Sequence, residues 1–184
     1  MSFIRVKEIG KKNGKKYRYA YLVSNKWRKR LKGGRKGSRQ KVSKYLGRVL
    51  KIEKEKEIDF YEFIEIDISK VEEYLKNNKS RIVNDLVRRE LLERGFFEKE
   101  GKIEKEEVRY DTELHKFVDL NEGEDKVVIE MNEGFLCKHT IRGLINFKND
   151  ADDEREKGIE LAKAFLEAGL KVPNEIFVGY FEKV

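Results

Sequence analysis

The sequence has few of the residues on which catalytic and cross-linked proteins depend. It contains one cysteine, Cys137, and two histidines, His115 and His139, in 184 residues. A single cysteine excludes an intrachain disulfide. No apolar run approaches the roughly eighteen residues of a membrane-spanning helix, and the N-terminus has no apolar signal core. We therefore expect a cytoplasmic protein with an ordinary hydrophobic core.

Catalytic and cofactor-binding motifs are also absent from the sequence. It has neither a Walker-type phosphate loop nor a G-x-G-x-x-G segment. Cys137 and His139 have no neighbouring cysteine or histidine to complete a zinc site, so we expect Cys137 to be a buried, small apolar residue. An acidic cluster comprises Asp150, Asp152, Asp153 and Glu154. It suits a helix N-terminus better than a divalent ion, so we expect no catalytic residue, metal or cofactor.

Charge, by contrast, is abundant and unevenly distributed. Charged residues make up 42% of the chain, and the formal net charge is +7. Residues 1–52 contain nineteen Lys or Arg and one acid, whereas residues 53–184 contain 23 Lys or Arg and 34 acids. Blocks of one sign are typical of proteins with a polyanionic partner. We expect a nucleic-acid-binding module over 1–52 and an acidic domain over 53–184.

The composition also bears on the source of the protein. Lys and Glu are abundant, whereas cysteine and glutamine each occur once. This pattern is typical of hyperthermophiles and suggests an archaeal, thermophilic source. An AT-rich coding sequence produces a similar bias and is the alternative interpretation.

Alternating side chains in the basic module predict three antiparallel strands. Phe3–Ile9 alternates apolar and charged residues, and Tyr17–Val23 places its three tyrosines on one face. Asn13-Gly14, between these runs, is a strong hairpin signal. A third strand is expected over Gln40–Leu46, continuing through a glycine into RVLKI.

The connection between the second and third strands, Lys29–Arg39, is rich in glycine and basic residues. Glycines let backbone N–H groups approach phosphates, and the cations neutralise them. The residues expected to contact nucleic acid are Lys15, Arg18, Lys26, Trp27, Arg28, Arg30, Lys32, Arg35, Lys36, Arg39, Lys41, Lys44 and Arg48.

The aromatic residues of this module have two interpretations. They are Tyr17, Tyr19, Tyr21, Trp27 and Tyr45. Aromatic rings stack on unpaired bases, but they also fill the core of a small sheet. We expect at least half of them to be core residues and Trp27 to be exposed.

The basic module resembles the N-terminal region of bacterial and archaeal insertion-sequence transposases. The similar residues are Tyr21-Leu22-Val23, Arg39-Gln40-Lys41-Val42 and Tyr45-Leu46-Gly47. They match a sequence motif of the type YLVE…GKVRQ…KYLG. The module is also similar to the small three-stranded domains with which integrases bind the arm regions of their DNA. Since the loop is longer than in the family and no three spaced carboxylates are recognisable, the resemblance implies DNA binding without strand transfer.

The acidic part shows mixed patterns that predict an α+β fold after the N-terminal three-stranded antiparallel sheet. A strand or linker is expected over residues 53–67, and hairpins at residues 96–111 and 117–131. Helices are expected over Lys70–Lys76, from a Ser80 cap to Gly95, over Glu133–Phe147 and Asp152–Ala168, and from Pro173 to Tyr180.

Two features of the acidic part suggest further partners. The second of these helices carries Arg81, Arg88, Arg89 and Arg94. With the helix before it and the hairpin after it, this is the order of a winged helix-turn-helix. However, the hairpin carries more acids than bases, which disfavours contact with phosphates, so we expect a packing module. The apolar helix faces suit the domain's own core or a protein partner, including self-association.

RNA binding, for example at the ribosome, is the alternative to DNA binding.

Overall fold

The computed structural model of the protein describes residues 2–11, 14–28, 37–121, 126–148 and 153–184. Within these ranges the chain forms nine strands and six helices, and the predicted α+β class is confirmed. The strands are β1 (Ser2–Gly10), β2 (Lys16–Arg28), β3 (Gly37–Lys51), β4 (Phe97–Lys99), β5 (Lys102–Lys105), β6 (Val108–Asp111), β7 (Lys116–Asp119), β8 (Val127–Met131) and β9 (Gly134–Leu136). The helices are α1 (Phe60–Phe63), α2 (Val71–Tyr74), α3 (Lys79–Glu93), α4 (Lys138–Ile145), α5 (Glu154–Ala168) and α6 (Asn174–Phe181), with a 3-10 turn at Ile68–Lys70.

All nine strands belong to one sheet with the order β1-β2-β3-β8-β7-β6-β5-β4, and β9 also pairs with β8. Every pairing is antiparallel except β3 with β8, which is parallel. Parallel neighbours need a long crossover connection. Here it contains α1 to α3 and β4 to β7. The predicted division into two domains stays a prediction, although β3 ends next to the compositional break.

The amino-terminal meander of β1, β2 and β3 is confirmed. Gly14 has a positive φ of 77°, and the Lys11 N–H donates to the Lys15 carbonyl at 2.8 Å, which closes the first hairpin. Asn13 lies outside the described residues. The register of β2 on β3 shifts between Ala20 and Tyr21 and again between Leu22 and Val23. Such bulges increase the local twist of a strand.

The second connection is shorter than predicted. We expected a loop over Lys29–Arg39, but Gly37, Ser38 and Arg39 belong to β3 and pair with the end of β2. From Ser24, the last partner of β1, the strands β2 and β3 continue as a two-stranded arm that comprises residues 24–28 and 37–41. The prediction was wrong there because glycine and serine favour loops by local propensity, whereas pairing with β2 holds both residues in a strand. Residues 29–36 of this connection lie outside the described residues.

Two hydrophobic cores flank the sheet. The main core contains side chains from α3, α5 and α6 together with strands β5 to β8. A small core joins the meander to the rest of the chain, and its buried members are Ala20, Leu46, Val49, Val128 and Cys137. The meander is therefore packed against the acidic part as well as hydrogen-bonded to it.

Gly47 determines how closely β3 approaches β8. It has a φ of 145°, and a Cβ there would overlap the carbonyl oxygen of Lys126. The next residue, Arg48, donates its N–H to that same oxygen at 2.9 Å. A side chain at position 47 would therefore separate the strands where the parallel pairing begins.

We expect Gly47→Ala to destabilise the protein by roughly 1–3 kcal/mol, the usual cost of a residue held in a sparsely populated backbone conformation. Chemical denaturation measures this difference. Gly10→Ala is the matched control, because nothing lies within 4 Å of a Cβ at that position. Equal stability of the two variants would contradict the role assigned to Gly47.

Three predictions about the acidic part were wrong in detail. Residues 60–63 form a helix rather than a strand, because the Asp59 carboxylate accepts the N–H groups of Tyr61 and Glu62. The cap of α3 is Asn78, whose side chain accepts the Arg81 N–H at 2.9 Å, and not Ser80. Residues 134–136 form a strand instead of the start of a helix, since the chain reverses through Asn132 and Glu133, both at positive φ. The hairpins, α5 and α6 are confirmed.

Candidate nucleic-acid interface

Four tyrosines form a continuous ladder on one face of the meander. Tyr17 and Tyr19 have ring centroids 6.5 Å apart, Tyr19 and Tyr45 6.2 Å, and Tyr21 and Tyr45 5.5 Å. Period-two alternation aligns the β2 tyrosines, and the register of β3 places Tyr45 opposite Tyr21. We call Tyr17, Tyr19, Tyr21 and Tyr45 the tyrosine ladder.

The ladder lies outside both cores. Val127 and Ile129 pack in the main core and Val128 in the small core, so alternate residues face opposite sides of the sheet. Arg48 is paired with Val127 of β8 and with Tyr19 of β2, and residues paired across strands share a face. The ladder therefore lies on the face of the sheet that carries the main core, in a part of the meander that extends beyond this core. All four tyrosines are half-buried, and none is a member of either core. The expectation that at least half of the aromatic residues are core residues was wrong, because the main core on this side of the sheet has no buried member from the meander.

Cations lie over the rings of the ladder. Lys11 Nζ is 4.5 Å from the Tyr17 centroid, and the Arg48 guanidinium carbon is 4.9 Å from the same ring. Lys7 Nζ lies 5.4 Å from the Tyr21 centroid and Lys126 Nζ 5.7 Å from that of Tyr45. Such contacts are attractive. They place positive charge beside an aromatic surface, which is the combination that single-strand-binding proteins use.

The face of the arm that points away from the tyrosine ladder is basic. Lys26 is paired across the strands with Arg39, and Lys41 is paired with Ser24, so the three cations share one face. Like charges placed directly opposite one another destabilise a sheet. Within the described part of the chain, Lys26, Arg39 and Lys41 have no carboxylate partner, and all three are exposed. An external polyanion would relieve this repulsion.

Trp27 lies on the face of the arm that does not carry these three cations, and it is paired across the strands with Ser38. Its side chain is 69% exposed, so the predicted exposure is confirmed. The arm therefore has a cationic face and a face with an accessible indole. Arg28 is the last residue of β2, Lys15 precedes that strand, and Arg30, Lys32, Arg35 and Lys36 lie outside the described residues.

Two predicted contact residues have carboxylate partners in the acidic part. Arg18 forms two hydrogen bonds with Glu130, one of them at 3.2 Å. Arg48 pairs with the buried Asp119 at 3.3 Å. Arg18 and Arg48 therefore hold the meander against β8 and β7, and they are less available to phosphates than the cations of the arm. Net charge along the sequence contained no signal for this pairing.

The acidic part contributes a group of cations that the sequence did not predict. Lys116, Lys126, Lys138 and Arg142 line a cavity of about 420 Å³, together with Lys44 and His139. Burial and the nearby Lys44 lower the pKa of His139. The four residues are scattered over a segment rich in acids, so only the fold brings them together.

The four arginines that the sequence places on α3 each have a carboxylate partner, and the partner of the exposed Arg81 is Asp85 at 4.0 Å. Arg89 is buried at the side of α3 and Arg94 at its C-terminal cap, and both contact the buried carboxylate of Glu90 at 2.7 Å. Arg88 pairs with Glu98 of the following hairpin at 2.7 Å. This arrangement agrees with the packing module that we expected in place of a winged helix-turn-helix.

Groups with catalytic potential are sparse in the described ranges. Cys137 is 2% exposed in the small core, and burial raises the pKa of its thiol. Asp153 caps α5 by accepting the Arg155 N–H at 2.9 Å, whereas Asp150 and Asp152 lie outside the described residues. No group of three or more His, Cys, Asp or Glu side chains suited to a metal ion occurs among the residues that were described. In the same ranges no helix has the length and apolar character to cross a membrane.

Comparison with known proteins yields no match. No protein-family model, no curated protein and no solved structure matches the chain. The similarity to transposase N-terminal regions therefore stays a prediction from the residues quoted above.

Proposed function

We propose that this chain is a non-catalytic nucleic-acid-binding protein that binds through its basic meander, with DNA as the first candidate ligand. The observation that carries the proposal is the arm. It presents Lys26, Arg39 and Lys41 on one face, with no carboxylate partner among the described residues. A two-stranded ribbon fits the major groove of B-DNA, and cations along it would neutralise phosphates.

RNA, or another strand with unpaired bases, is the second candidate, and the tyrosine ladder favours it. Rings 5.5 to 6.5 Å apart on an open sheet face offer successive aromatic surfaces. Unpaired bases stack on such surfaces in RNA-binding sheets, with little dependence on sequence. The cations over the rings would lie next to the phosphates of the stacked strand.

A competition assay tests the proposal and ranks its two candidates. Labelled duplex DNA, single-stranded DNA and folded RNA are each titrated with the full chain at one fixed salt concentration, and every complex that forms is displaced with the other two nucleic acids unlabelled. We expect binding whose affinity falls steeply with salt, because phosphate contacts release counterions. No binding of any of the three would overturn the proposal. Incubation of plasmid with Mg²⁺ or Mn²⁺ should show no cleavage, and cleavage would contradict a non-catalytic role.

The ladder makes a separate prediction. Tyr19→Ala with Tyr21→Ala should weaken binding of an unpaired strand by about 1–3 kcal/mol for each lost stack. The salt dependence should stay unchanged, because no cation is removed. Tyr19→Phe with Tyr21→Phe keeps both rings and is the matched control. Equal affinities of the Ala and Phe variants, measured by fluorescence anisotropy, would show that the ladder does not stack bases.

A further inference from the structure

The basic cavity lies where β3 runs past the start of β8. The parallel pairing begins at Arg48 with Val127, so the preceding residues of β3 have no partner on β8. Lys116 of β7, Lys126 before β8 and the first turns of α4 complete the walls. The cavity has a volume of about 420 Å³.

The charged side chains among the described residues that line this cavity are of one sign. Its basic side chains are Lys44, Lys116, Lys126, Lys138, His139 and Arg142, and no carboxylate is found among the described residues that line it. Lys44, Lys126, Lys138 and Arg142 are exposed, whereas Lys116 and His139 are half-buried. Clustered cations around a concave surface raise the local concentration of anions.

Buried apolar residues close the cavity on its inner side. Leu46 is 7% exposed, Phe117 1% and Val127 2%, and all three line the cavity and belong to the two cores. A nucleic-acid backbone cannot continue through such a wall. The cavity therefore suits a group at the end of a chain, or a small free anion, better than a phosphate in mid-strand.

The cavity is continuous with the tyrosine ladder. Tyr45 lines the cavity and is also a member of the ladder. Lys126 also lines the cavity, and its Nζ lies 5.7 Å from the Tyr45 centroid. A base stacked on Tyr45 would have its phosphate within reach of the cavity.

We propose that this cavity binds a terminal phosphate monoester, and that its source is the end of a strand whose bases stack on the ladder. The second half of this statement rests on the proposed nucleic-acid-binding function, whereas the first half does not. A phosphate monoester carries nearly two negative charges at neutral pH and three acceptor oxygens. A diester in mid-strand carries one charge, so the cationic cavity discriminates in favour of strand ends.

The test compares short single-stranded oligonucleotides that differ only in a terminal phosphate. Each carries a fluorophore at the other end, and anisotropy reports its affinity for the full chain. We expect about tenfold tighter binding with the phosphate, the effect of a charge-assisted hydrogen bond. Lys138→Ala with Arg142→Ala should abolish this difference and retain affinity for the strand without it. Lys102→Ala with Lys163→Ala, both exposed and outside the cavity, is the matched control.

Inorganic phosphate and a nucleoside monophosphate distinguish the sources of the ligand. Their binding is followed by the NMR signals of the His139 ring, against chloride at equal ionic strength. A shift in the wild type that the double variant loses supports the cavity even if no oligonucleotide binds, in which case the nucleic-acid function alone fails. Oligonucleotides that bind equally with and without the terminal phosphate, together with an unmoved His139 signal, would overturn the cavity proposal alone.

Discussion

Replacement of five basic residues by alanine, four of them in the second connection and one in β3, is expected to weaken nucleic-acid binding by about three orders of magnitude. These residues are Arg30, Lys32, Arg35, Lys36 and Arg39. Each phosphate contact contributes roughly 0.9 to the slope of log affinity against log salt, so the loss of five should flatten that slope by about 4.5. Titrations at several salt concentrations measure both effects. None of the five replaced side chains is apolar, so we expect the melting temperature to stay nearly unchanged.

A variant with the same change of net charge provides the control. Lys70, Lys76, Lys99, Lys102 and Lys163 are exposed and belong to the acidic part. Their replacement by alanine also removes five positive charges, but we expect little change in affinity or in the salt slope. If both variants lose affinity equally, binding responds to net charge alone and the arm has no particular role. If neither does, the connection does not contact nucleic acid.

Local patterns were sufficient to predict the meander and the last helices. The alternation around Tyr17–Val23 and the Asn13-Gly14 turn signal specify two strands and their connection with little help from the rest of the chain. Asp153 and Gly169 delimit α5, because the Asp153 carboxylate accepts the Arg155 N–H in the first turn and a left-handed glycine ends the helix. These signals act over a few residues, so the sequence displays them directly.

The environment of the tyrosines was not predictable in the same way. Period two shows that Tyr17, Tyr19 and Tyr21 share a face, but it does not show which face is covered. That depends on the parallel pairing of β3 with β8, whose partner strand begins at Val127, far along the chain. Since the crossover packs the main core elsewhere on that side of the sheet, the ladder lies outside it. Long-range topology therefore determined an outcome that local pattern left open.

The basic cavity was also not predictable from the sequence, in this case from its charge. Residues 53–184 contain 34 acids against 23 Lys or Arg, and this average concealed a local cationic site. Lys116, Lys126, Lys138 and Arg142 come from β7, the start of β8 and α4, and meet Lys44 of β3 only in the fold. Net charge indicates the sign of a partner for a whole segment. It does not locate a site made by several elements.

A buried ionic network holds the acidic part together, and Glu90 is at its centre. Glu90 is 0% exposed, and its carboxylate contacts Arg89 and Arg94, each at 2.7 Å. The same carboxylate accepts from the Asn132 side chain at 2.9 Å and from the Lys171 N–H at 3.1 Å. One side chain of α3 thus joins the turn between β8 and β9 to the connection between α5 and α6.

We expect Glu90→Gln to destabilise the protein by about 3–5 kcal/mol, because it leaves two buried guanidinium groups without a counter-charge. For a chain of this size, that corresponds to a fall of roughly 10 °C in melting temperature. Calorimetry or thermal circular dichroism measures it. Glu133→Gln is the local control: the residue follows Asn132 in the same turn but is exposed, so its replacement should have little effect.

The size of the stability loss shows whether the network holds the acidic part together or contributes no more than surface salt bridges do. Arg89 and Arg94 are enclosed by the main core, where solvent cannot replace the lost carboxylate, so a large loss is expected. A loss below about 1 kcal/mol would place the pairs in the range of surface salt bridges and contradict the central role of Glu90. Since the ladder and the arm lie outside this network, Glu90→Gln should leave nucleic-acid affinity unchanged below its own melting transition.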